Sequence, residues 1–96
     1  MEKIITLLEQ ASKLLSECGA MEKSQWFSDK INELQNTNSE NTLLEIKNIL
    51  GGQGSFSDLS LIPGNESKLT PEEARNQQWE ITEKLSEELN NVVNRT

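Results

Sequence analysis

The chain has 96 residues and a mass of 10.8 kDa, enough for one modest hydrophobic core and not for two. Nine basic residues against sixteen acidic ones give a formal net charge of −7, with no histidine and a single cysteine, Cys18. That composition excludes an imidazole general base, a His-containing zinc site, an intramolecular disulfide and a CxxC motif. No apolar run exceeds two residues, against the roughly 20 a membrane span requires.

Ile4, Leu7, Leu8, Ala11, Leu14, Leu15 and Cys18 recur at three- and four-residue steps and predict an amphipathic helix over about 2–18. Gly19 is its natural stop, since glycine accepts the left-handed conformation that closes a helix. Cys18, on the apolar stripe, reads as a small buried hydrophobe and not as a reactive thiol. Met1-Glu2-Lys3 leads straight into this helix, without the apolar stretch and cleavage site of a secretory signal. Together with the unpaired cysteine, this gives the cytoplasm as the expected compartment. Asn65-Glu66-Ser67 and Asn94-Arg95-Thr96 match the glycosylation acceptor pattern, as an asparagine-rich chain does by chance.

A second helix over about 21–35 carries Phe27, Ile31 and Leu34 on one side and Trp26 at its flank, then fades into the polar turn Asn36-Thr37-Asn38-Ser39. Thr37 with Glu40 fits a capping box for a third helix, over about 39–50. Its apolar residues Leu43, Leu44, Ile46, Ile49 and Leu50 point several ways, which predicts the central place in a bundle. Gly51-Gly52 ends it. The fourth helix, over about 71–93, has the clearest start: Thr70 as cap, Pro71 at the first position and Glu73 closing the box. Ala74, Ile81, Leu85, Leu89 and Val92 form its buried stripe. The expected fold is all-α, a single domain over 1–96 with about four bundled helices and one long ordered loop, 51–70.

Loops of that length in compact domains are usually functional or hold structure of their own. Phe56, Leu59, Leu61 and Ile62 predict that this one folds back onto the bundle. Ser57-Asp58-Leu59-Ser60-Leu61 alternates like a strand, but with no second strand to pair with, a lone extended segment is expected. Pro63-Gly64-Asn65 signals a turn. Gly51-Gly52-Gln53-Gly54-Ser55 invites an anion-binding reading, yet the Gly-Lys-Ser/Thr ending of a phosphate loop is missing. The structural reading of Gly51, Gly52 and Gly54 is a turn that stops the third helix and lets Phe56 swing under the bundle, with Asp58 as a local backbone cap.

Catalysis is not expected. Glu72-Glu73 and Glu87-Glu88 are helix neighbours that diverge by roughly 100°, so neither pair flanks one bond. Serines lack a histidine to activate them, and no loop spaces its acids as a calcium site does. No cofactor or metal is implied.

The fourth helix stands out by charge. Glu73, Glu80 and Glu87 are seven apart, with Glu83 between the last two, and they share roughly 80° of arc away from the Ile81-Leu85-Leu89 stripe. From Asp58 to Glu88 there are eight acids and three bases. Such a face is either solvated surface or a docking site for a basic partner. Asp58, Glu73, Trp79, Glu80, Glu83 and Glu87 are the candidate partner-binding residues. Trp79 is expected at the edge between acidic face and core. The nine bases are scattered singly, which disfavours direct nucleic-acid binding.

Gly51-Gly52-Gln53-Gly54-Ser55-Phe56-Ser57-Asp58-Leu59, followed by Asn65 and a closing helix, resembles a family of small bacterial proteins with no assigned biochemistry. Their pattern is Gly-Gly-Met-Gly-Ser-Phe-Asn-Asp-Leu and then an Asn-Gly turn. The present chain departs from it at Gln53, at Ser57 and in the order Gly64-Asn65. In size and character the chain also resembles the cytoplasmic immunity proteins of contact-dependent growth inhibition. That resemblance implies a stoichiometric, non-catalytic inhibitor of a toxin domain, and the acidic surface suits a basic nuclease. An adaptor or regulatory module, or an anion-binding domain using the glycine turn, are the alternatives.

Overall fold

A computed structural model describes residues 2–37, 40–50, 61–64 and 68–93. Four helices make up most of them: α1 Glu2–Glu17, α2 Met21–Thr37, α3 Glu40–Leu50 and α4 Pro71–Val93. There is no strand among the described residues, and the fold is a small all-α bundle. Each of α1 and α3 packs against both α2 and α4, so the helices form a ring in chain order with α1 diagonal to α3. The largest fully buried side chains are Ile4, Leu8, Leu14 and Leu15 from α1, Ile46 from α3, and Leu85 and Leu89 from α4.

The expectation that α3 is the central helix is not met. α3 has only the same two neighbours as α1, and its Leu44 is 44 % exposed. Burial is concentrated on α1, where Ile4, Leu7, Leu8, Ala11, Leu14 and Leu15 are all buried. The physical reason is width: the six residues of α1 form a stripe broad enough to meet both flanks.

α1 closes where glycine predicts. Gly19 has φ +77°, its N–H donates to the Ser16 carbonyl (3.1 Å), and the Ala20 N–H donates to the Leu15 carbonyl (2.8 Å). This pair of bonds satisfies two of the carbonyls left over at a helix end. A third is taken by the loop: the Gly64 N–H donates to the Glu17 carbonyl at 2.9 Å. Leu61 and Leu69 pack against the core from either side of that anchor, so these parts of the loop do return to the bundle. Ile62 does not; it is 70 % exposed. Cys18 is half-buried at the end of the stripe, where burial and, after it, the Glu17 carboxylate push its thiol pKa up.

Two seams hold α2. Against α1, Ser12 and Ser24 exchange bonds, each hydroxyl donating to the other's carbonyl (3.0 and 2.8 Å), and Ser28 Oγ lies 3.1 Å from Ser12 Oγ. Against α3, Lys30 ion-pairs with Glu45 across the gap and with Glu33 on its own helix (3.1 Å). Its ammonium also stands 5.1 Å from the Trp26 ring centre. Thr37 is the last residue of α2, not the cap of α3: its hydroxyl donates back to the Glu33 carbonyl at 2.8 Å. A threonine hydroxyl serves either role, and here the helix simply runs one more half-turn.

Candidate functional site on helix α4

α4 begins as its sequence dictates. The Glu73 N–H donates to Thr70 Oγ1 (3.1 Å), and the Thr70 N–H donates to Glu73 Oε1 (3.4 Å). The reciprocal pair satisfies donors that the first turn leaves without helical partners. Ala74, Gln78, Ile81, Leu85 and Leu89 are then buried at successive four- and three-residue steps. Sequence periodicity identified all of these except Gln78.

This register fixes where each candidate residue stands. Glu73, Glu80, Glu83 and Glu87 are all exposed. They are not equivalent. Glu73 is engaged in the cap, and Glu80 Oε1 accepts from Lys84 Nζ at 2.7 Å, one turn along. Glu80 and Glu87 line grooves between α4 and α1, Glu80 in one that Lys13 also lines and Glu87 in one that Lys3 also lines. Glu83, about 40° around the helix from Glu87, lines neither groove and makes no ion pair with another described residue. The acidic face read from the sequence is therefore bordered along its α1 side by lysines of a different helix.

Trp79 is not an edge residue of the core. It is 64 % exposed, about 120° around α4 from Leu85 and about 40° from Glu83. The Ala74–Leu89 stripe is complete without it, which leaves the indole in solvent. Asp58, Gly51, Gly52 and Gly54, with the whole Gly51–Leu59 motif, lie outside the described residues. Among the described residues no group of three acidic or cysteine side chains is placed to hold a metal ion, and no helix is long and apolar enough to cross a membrane. Comparisons with protein-family models, with curated proteins and with solved structures gave no match.

Proposed function

We propose that this chain works by binding: an immunity-type inhibitor that neutralises a basic toxin domain, in keeping with a nuclease, through the Trp79–Glu83 surface of α4. The observation that carries the reading is Trp79, a large aromatic residue 64 % exposed one helical turn from Glu83, which no other described residue ion-pairs, in a chain of net charge −7. Water contact over that much indole is unfavourable, and covering it recovers about 3 kcal/mol of hydrophobic free energy. Tryptophan is also the residue type most enriched in binding hot spots. Glu83 supplies orientation and, with the net negative charge, speeds encounter with a cationic partner.

The test is growth rescue in bacteria. The C-terminal domain of any large secreted protein encoded beside this gene is expressed with and without the chain. The reading predicts that the chain restores growth and co-purifies with the domain, and that Trp79→Ala combined with Glu83→Lys abolishes both. Toxicity that persists beside well-expressed, folded wild-type chain contradicts it.

A further inference from the structure

Trp79 stands midway along an exposed column of α4. Arg75 comes four residues before it and Glu83 four residues after, each about 6 Å away along the axis and about 40° around the helix, in opposite senses. Both are exposed, and neither makes an ion pair with another described residue. Glu72, one turn before Arg75, is exposed on the same arc. A cation and an anion at equal distances from a central aromatic residue form a pattern that complements itself when turned end for end. In a twofold pair the same patch serves both copies. With a second α4 laid antiparallel and the axis at Trp79, each residue meets the one equally far beyond position 79 in the other copy. Arg75 of each chain then lies across from Glu83 of the other, and the two indoles share the centre.

We propose that this column binds a second copy of the chain, α4 against α4, in a reversible twofold dimer with Trp79 at its centre and an Arg75–Glu83 pair on either side. Charge complementarity selects this occupant. A membrane surface or a nucleic acid presents one sign along its length and opposes Glu72 and Glu83, whereas a second copy offers each charge its opposite. Mutual cover of the indoles supplies the apolar gain. One helix from each copy makes a small contact, in the transient class below about 1,200 Å² of total buried surface. The chain is therefore monomeric when dilute and dimeric when concentrated. Two charge effects oppose the pairing: Glu72 comes near the Glu83 of the other copy, and each chain carries a net charge of −7. The net repulsion acts beyond a Debye length and the paired contacts act within it, so the dimer tightens as salt rises from a low level. A basic toxin domain responds to salt in the opposite sense. The dimer does not rest on the toxin reading, although both use Trp79 and so exclude each other.

The test is sedimentation equilibrium of the full chain alone, from about 5 µM to about 1 mM, the range in which transient contacts dissociate. The wild-type chain should fit a monomer–dimer equilibrium with no larger species. Trp79→Ala should leave it monomeric, and Glu72→Gln should tighten the dimer. Arg75→Glu and Glu83→Arg should each weaken it about tenfold. The charge exchange supplies the decisive arm, because Arg75→Glu and Glu83→Arg combined in one chain should restore the dimer. An equimolar mixture of the two single variants should also associate more tightly than either alone, which keeps the test open if the double variant fails to fold. A wild-type chain that stays monomeric throughout, a dimer that survives Trp79→Ala, or an exchange and a mixture that both remain as weak as the single variants overturns the proposal. None of these results depends on whether growth rescue succeeds, so the two readings fail separately.

Discussion

Gly19 and Gly64 are both loop glycines at the end of α1, and they do different things. Gly19 is left-handed at φ +77°, with nothing within 4 Å of where a Cβ would stand. Gly19→Ala therefore meets backbone strain and no clash, and should cost about 1 kcal/mol in urea unfolding, with Gly19→Asn costing less. A Cβ on Gly64 would meet the Glu17 carbonyl oxygen at an ordinary 3.5 Å. What matters there is the N–H, so Gly64→Ala should be close to neutral and Gly64→Pro should not. Two titrating groups add a pH signature. Hydrogen bonding to Glu45 raises the Lys30 pKa, burial opposes it, and Glu33 adds to the rise. Its folded-state pKa lies above the unfolded one, so the stabilisation is complete below the usual lysine range and is lost as pH climbs through it. The Cys18 thiol is also raised, so folding favours its neutral form and stability starts to fall lower, from about pH 9. Unfolding measured on the alkaline side should show both losses. Cys18→Ala should remove the earlier one and Lys30→Met the later one; an alkaline fall identical in the double variant contradicts the assignment.

Among the elements, α1 and α4 were legible in the sequence and the relations between helices were not. A stripe such as Ile4-Leu8-Ala11-Leu15 and a signal such as Thr70-Pro71-Glu73 are local, carried by residues within a few turns of one another. The place of α3, the end of α2 and the Ser12–Ser24 and Lys30–Glu45 contacts depend on which helix lies alongside, and no spacing within one helix encodes that. Thr37 shows the ambiguity in one residue, because Thr37 and Glu40 spell a cap that the extended α2 pre-empts. The acidic face of α4 was legible as a wheel pattern, but the lysines that border it, Lys3 and Lys13, come from α1. The capping box bears on how the face is tested. Thr70→Ala should destabilise the chain by about 1 kcal/mol, and Glu73→Gln by less, since glutamine also closes the box. Thermal unfolding of the two variants checks the order. Charge reversal at Glu73 would lose the cap as well as the charge, so Glu83 is the better residue for probing a partner.

At the scale of the whole molecule, α4 turns its Ala74–Leu89 stripe into the bundle and its Trp79–Glu83 edge to solvent. A net charge of −7 acts on any cationic partner at long range, which predicts association that slows as salt rises, while dissociation depends on what Trp79 touches. Stopped-flow mixing at two salt concentrations separates these effects: Glu83→Lys should slow association, and Trp79→Ala should mainly speed dissociation. Association that does not respond to salt would remove the electrostatic half of the account. The most direct test of the central claim follows Trp79 itself. In a Trp26→Phe chain, Trp79 is the only tryptophan, and with the indole 64 % exposed its fluorescence should be quenched readily by acrylamide. Adding a stoichiometric amount of the toxin domain identified by rescue, in a tryptophan-free form, should shift the emission to the blue and protect it from quenching. A complex that forms at that stoichiometry while Trp79 stays as accessible as in the free chain would show that the partner binds elsewhere.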